Sequence, residues 1–310
     1  MSNRTYLLVI GAASIDTKGR ANGPIQAGTS TPGAIHVSVG GVGRNIAENL
    51  ARLGQQVVLL SAVGGDGSGR RILQQAAGCG IDVSHMLVDA DQHTAAYLAV
   101  LDETGNLAMS IDDMGINHNL LTPAFIHRHR ALFRNAQMVV LDANLSPATL
   151  RTIINLARKY QVPVCADPTS ATLAPRLCPY LADLILVAPN AAEAEALCGM
   201  PVTSRESALL AAQKLVSLGV QIAIVTLGAT GLVYATSQES GHVPAIECDI
   251  VDLTGAGDAL TAAVVFSLLN DLPIDEAVRL GTSAAALTLE CRETVCPDLS
   301  LERLYDQLVI

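Results

Sequence analysis

The chain has 310 residues, half of them apolar and 15% charged, which supplies a sizeable core. A formal charge of −10, no Trp and only 3% aromatics exclude a surface that grips nucleic-acid phosphates and stacks bases. No apolar run approaches the roughly 18 residues of a membrane span, and the seven cysteines, odd in number and without a C-x-x-C pair, read as free thiols of a reducing compartment. A cytoplasmic protein with small-molecule partners is expected, with neither nucleic acid nor membrane among them.

In chain order, T-Y-L-L-V-I-G reads as a short apolar strand running into G-A-A-S-I-D. Asp16 ends that strand, either as a plain turn or as a ligand group at the carboxyl edge of an α/β sheet. Residues 17–39 are rich in Gly, Thr and Pro and finish in A-I-H-V-S-V. Residues 94–113 alternate as two strands around a turn at E-T-G-N. These two segments predict a small sheet standing off the main one, as a lid or as an edge extension.

The remaining strands are Q-V-V-L-L-S, A-Q-M-V-V-L-D, V-P-V-C-A-D, L-I-L-V-A-P and I-A-I-V-T-L-G. Their Val, Ile and Leu show little polar alternation, as in parallel strands covered on both faces. Helical spacing occupies residues 44–53, 69–77, 147–159, 206–218 and 256–269. The succession predicts an α/β sandwich with right-handed crossovers. One domain over residues 1–310 is expected, with 17–39 and 94–113 inserted as a lid.

Five stretches carry chemistry. Gly40 and Gly41 join a strand to a helix whose first turn holds Asn45, which suits sugar hydroxyls or merely a tight turn. Asn190 and Glu193 have the spacing of a capping box, and a carboxylate there also suits a hydrated Mg²⁺. Thr226, Gly228 and Gly231 offer backbone donors to a triphosphate, or form a hairpin turn. In D-L-T-G-A-G-D-A-L, Gly255, Ala256 and Gly257 would open a helix with unpaired N–H groups that cradle an anion. Asp258 would then stand beside the phosphoryl group as a base, or serve only as a helix-start charge. With Asp16, these are the candidate site positions. Neither G-x-x-x-x-G-K-[S/T] nor a first-strand G-x-G-x-x-G occurs, which excludes a P-loop enzyme and argues against a dinucleotide fold.

Taken together and in this order, G-x-x-x-x-D at 11–16, G-G-x-x-x-N at 40–45, N-x-x-E at 190–193, T-x-G-x-x-G at 226–231 and D-x-T-G-A-G-D at 252–258 resemble the ribokinase-like, or PfkB, carbohydrate kinase family. The resemblance implies a doubly wound, mostly parallel sheet flanked by helices, with a small β-sheet lid. It implies Asp258 as the base, Gly255, Ala256 and Gly257 as the anion hole, and Asp16, Gly40, Gly41 and Asn45 around the acceptor. It further implies Asn190, Thr226, Gly228 and Gly231 at ATP, Glu193 toward Mg²⁺ through water, and Asp252 and Thr254 at a monovalent cation such as K⁺. A homodimer through lid strands is also implied.

Within the family, G-G-V-G-R-N-I-A-E-N-L-A-R-L-G, T-A-A-Y-L-A-V-L-D-E-T-G-N-L-A-M-S-I-D-D-M, A-D-P-T-S-A and P-D-L-S are similar to the branch acting on pseudouridine. That implies ATP-dependent phosphorylation of a 5′-hydroxyl, with another nucleoside or a free sugar as the alternative acceptor. Val42 stands where members that bind free ribose often carry Lys, and Leu253 replaces the commoner Thr.

Overall fold

The computed structural model describes residues 5–308, so the domain expected over 1–310 extends slightly beyond it at both ends. All six apolar runs form strands of one sheet. Across the sheet their order is Val57–Leu60, Tyr6–Ile10, Ala136–Asp142, Val164–Asp167, Leu184–Val187 and Ile222–Thr226, every neighbour parallel. Leu232–Ala235 and Ser240–Val243 then extend the sheet antiparallel.

Alternate residues of each strand serve opposite faces, so a continuous apolar run feeds two cores. Leu8 and Ile10 pack with the helices Pro147–Tyr160, Ala191–Cys198 and Arg205–Ser217. Leu7 and Val9 pack with Val42–Arg52, Ala256–Leu269 and Ile274–Leu289. Residues Asp258 to Ser267 of the Ala256–Leu269 helix are all buried, as its unbroken apolar surface requires.

The second sheet has four strands in the order Gly33–Gly40, Ser14–Ala21, Ala96–Leu101, Leu107–Asp113. It joins the two segments expected to form a lid, but with a different boundary. The first strand ends at Ile10, and Asp16 is the third residue of the Ser14–Ala21 strand rather than the end of the first. The break at Gly11 to Ala13 arises because Ala12 N donates to Asp142 Oδ2 at 2.7 Å, pulling the chain out of the parallel ladder.

Asp16 pairs with Ser38 and Tyr97, and Tyr97 with Asp112, so these four share one face of the small sheet. Ile35, Leu98, Met109 and Ile111 lie on the other face and are exposed.

Candidate active site

The Ala256–Leu269 helix begins where the two sheets meet. Gly255 caps it at φ 88°, and a Cβ there would collide with the carbonyl of Thr294. At Gly257, by contrast, an added Cβ would meet nothing within 4 Å. The first N–H groups of this helix have no intrahelical acceptor, and the open space beside Gly257 lets an anion reach them.

Asp258, in the first turn, is 8% exposed and accepts a 2.7 Å hydrogen bond from Asn45 Nδ2. Asn45 comes from the first helix, which the Gly40–Gly41 junction positions. Gly41, at φ 94°, passes so close to Ala12 that a Cβ would lie 2.6 Å from its carbonyl oxygen. A Cβ on Gly40 would overlap the carboxylate of Asp16. The amide of Asn45 is held in one orientation, because its Oδ1 accepts from Arg44 Nη1 at 2.7 Å, while Thr294 gives its single hydroxyl proton to the nearer Val39 carbonyl at 2.6 Å. Arg44 is itself buried and ion-paired with Glu48, which Arg52 also contacts.

Four aspartates converge on this region, Asp16, Asp142, Asp167 and Asp258. Burial pushes the Asp258 carboxyl up to about 7; Asn45 opposes the rise, while the charges of Asp142 and Asp16 add to it and that of Arg44 counters it. Asp16 is raised mainly by burial, and Asp167 well above its usual range by burial and by the charges of Asp258 and Glu193. A carboxyl near neutrality, buried and oriented by one amide, is suited to accept a proton from a hydroxyl.

Two cavities flank the helix start. One, of about 570 Å³, is lined by Ser14, Asp16, Asn45, Tyr97, Asp112 and Asn144 and reaches Asp258. The other, of about 700 Å³, is lined by Thr226, Gly228, Gly231 and Ile246 and reaches Ala256 and Gly257. The first turn of one helix thus presents a carboxyl to one cavity and open amides to the other.

The PfkB family of carbohydrate kinases matches residues 4–299. The chain belongs to that family. It is therefore a kinase, a phosphotransferase with ATP as co-substrate and an alcohol group of a sugar or nucleoside as acceptor. This PfkB kinase is 35% identical to a pseudouridine kinase of Escherichia coli over 97% of its length and 96% of the relative's. It is 31% identical to a guanosine-inosine kinase of Exiguobacterium acetylicum, over 93% and 95%. The fold is that of ribokinase from Arabidopsis thaliana complexed with ribose and ATP, at TM-score 0.86, 24% identity and coverage of 99% of both chains.

Thr226, Gly228 and Gly231 come together at the larger cavity through a hairpin, since Ile222–Thr226 pairs antiparallel with Leu232–Ala235. Asn190 and Glu193 form the capping box: Glu193 N donates to Asn190 Oδ1 at 3.0 Å, and Asn190 N to Glu193 Oε2 at 2.9 Å. Their side chains are engaged with each other, and Asn190 bridges to Thr226 through the backbone.

Asp252 and Thr254 differ from expectation. In place of open oxygen donors to a free cation, both accept from the Lys18 ammonium, at 2.7 Å to each carboxylate oxygen and 2.7 Å to Thr254 Oγ1.

Sequence reasoning also passed over Asp142 and Asp167. Asp142 takes hydrogen bonds from the backbone of Ala12, Gly43 and Asn144, tying the first loop to the first helix. Both end Val-containing strands at the carboxyl edge, V-V-L-D and V-C-A-D, and that placement was a readable signal.

Proposed function

We propose that this kinase transfers the γ-phosphoryl group of ATP to the 5′-hydroxyl of pseudouridine, giving pseudouridine 5′-phosphate and ADP. The observation that carries the reading is the helix start shared by the two cavities, with Asp258 toward one and Gly257 toward the other. The acceptor's ribose lies against Asp16 and Asn45, whose carboxylate and amide are matched to hydroxyl donors and acceptors. Asp258 takes the proton of the attacking hydroxyl, the new O–P bond forms, and the bond to the β-phosphate oxygen breaks with ADP as leaving group. Charge on the transferred group is met by the amides of Gly255, Ala256 and Gly257 and by the helix dipole. Thr226, Gly228 and Gly231 hold the nucleotide.

Mg²⁺ fits this donor set in one way. Each Glu193 oxygen spends one lone pair on Asn190, leaving others free, and burial raises the carboxyl, a cost that a nearby cation offsets. Among the described residues no group of three His, Cys, Asp or Glu is placed to cage a metal, so the ion would arrive on the triphosphate and meet Glu193 through water. Bound there, it would neutralise phosphate charge.

Support for pseudouridine over other acceptors comes from the likeness to the Escherichia coli enzyme and from the polar cavity wall beyond the ribose position. Asp112 and Asn144 offer acceptors to a base with two ring N–H groups. A coupled assay across pseudouridine, uridine, inosine, guanosine and ribose tests it, with the product's phosphate position read by NMR. The highest kcat/KM is expected with pseudouridine; turnover of inosine or ribose with none of pseudouridine sinks the assignment.

A further inference from the structure

We propose that Lys18 supplies from within the chain the single positive charge needed at the D-L-T-G turn, so that the kinase works without K⁺ or any other free monovalent cation. The proposal rests on the phosphoryl-transfer reading of the neighbouring helix start. Lys18 lies two residues beyond Asp16 on the same face of the Ser14–Ala21 strand and is only 7% exposed. Its ammonium has three protons, and the three acceptors around it are Asp252 Oδ1, Asp252 Oδ2 and Thr254 Oγ1, each at 2.7 Å. No donor capacity is left over, and the Asp252 carboxylate is already neutralised.

A K⁺ ion seeking these oxygens would meet a like charge already seated among them. Ammonium and K⁺ carry the same charge and approach oxygen to similar distances, so the tethered group can do what the free ion would. The turn it holds leads directly into the anion hole. Thr254 N donates to Asp252 Oδ1 at 2.8 Å, and Gly255 follows as the helix cap. Positive charge at this point reinforces the dipole of the Ala256–Leu269 helix where phosphoryl charge develops. Lys18 also ties the strand that carries Asp16 to the turn that precedes Asp258, spanning 234 residues of sequence. It acts on the reaction through Asp252 and Thr254 and is a positioning residue.

The test compares wild type with Lys18→Met, a replacement of similar length without charge. Rates are measured with the best acceptor from the substrate panel, in KCl and in choline chloride at matched ionic strength, because screening alone alters rates. The wild-type rate is expected to differ by less than about twofold between the two salts. Lys18→Met is expected to lose at least about tenfold in choline chloride, a conservative figure for one charged group at a phosphoryl site. K⁺ or NH₄⁺ should restore most of that loss.

In parallel, KCl should raise the Tm of ligand-free Lys18→Met relative to choline chloride and leave that of wild type unchanged. This arm needs no acceptor, so it stands even if the pseudouridine assignment fails. A wild type that K⁺ activates tenfold or more overturns the proposal. So does a Lys18→Met variant as active as wild type, or one whose lost activity no cation restores. Should Lys18→Met fail to fold, the wild-type salt comparison still decides.

Discussion

Asn45 Nδ2 donates to Asp258 Oδ2 at 2.7 Å, joining side chains 213 residues apart. The direction of that bond is set elsewhere. Arg44 donates to Asn45 Oδ1, so the amide can offer only its NH₂ to the carboxylate. One Asp258 oxygen is thereby occupied and the other is left for a substrate hydroxyl. Burial raises the Asp258 carboxyl to about 7 while the amide restrains the rise, which suits the proposed base to hold and release a proton near neutral pH.

Replacing Asp258 with Asn should separate chemistry from stability. Turnover falls by about 10²–10⁴, the usual contribution of a general base, while acceptor affinity changes little. Stability moves the other way. The folded-state value of about 7 lies above the ~3.9 of an unfolded Asp, so stability present below about pH 4 is lost as pH rises through 7. Asp258→Asn escapes that loss, and at pH 8 it should exceed wild type by at most about 4 kcal/mol, a gap that closes toward pH 4. Urea melts at the two pH values check this; equal stabilities at pH 8 would refute the buried charge.

The same carboxyl should govern the acidic limb of the rate profile. With free enzyme, kcat/KM should drop about tenfold for each pH unit below 7 and level off above it. A flat profile from pH 5.5 to pH 8 (a range within which only groups titrating near neutrality act) would remove Asp258 as the proton acceptor.

Gly40→Ala tests the acceptor side. An added Cβ would overlap the Asp16 carboxylate, which must then swing away from the cavity. The KM for the acceptor should rise at least about tenfold, the loss of roughly one charged hydrogen bond, with the KM for ATP unchanged. Equal effects on both substrates would mean that the whole site had shifted instead.

Legibility followed the way side chains are buried. The six parallel strands of the eight-stranded sheet were readable because they are covered on both faces and appear as continuous apolar runs. The Ser14–Ala21 strand was not, because Ser14, Asp16 and Lys18 face inward and its apolar-out neighbours invert the usual pattern. Asp258 and Asn45 could be singled out because glycine spacing announces a helix start with open amides, and the fold brings the two side chains together there. Lys18 was missed, since T-K-G-R reads as solvated charge until the fold brings Asp252 beside it. The hydrogen bonds of Asn190 and Glu193 were foreseen from spacing alone, because a capping box is local.

The inverted small sheet has a consequence for assembly. Ile35, Leu98, Met109 and Ile111 stand exposed on its outward face, 75%, 45%, 61% and 65% accessible. The homodimer through lid strands that the family resemblance implied would bring a second copy against this face, where exposed apolar patches mark contact sites. Sedimentation should show a dimer for wild type and a monomer for Ile111→Lys. A wild type that sediments as a monomer at micromolar concentration overturns the inference.

Gly255 and Gly257, two residues apart in the chain, should fail in different ways. Gly255 sits at φ 88° with Thr294 against it, so Gly255→Ala strains the backbone and drives a methyl into a carbonyl. Its Tm should fall by about 5 °C or more, and activity with it. Gly257 has open space where a Cβ would go, and its helical backbone accepts alanine readily. Gly257→Ala should therefore melt no lower than wild type. Its methyl group nevertheless occupies the approach to the helix amides from the nucleotide cavity, so kcat should fall by about 10²–10³, as when an oxyanion donor is lost. Thermal melts and steady-state rates on the two variants distinguish the roles. If Gly257→Ala retains full activity, the phosphoryl group does not pass over this helix end.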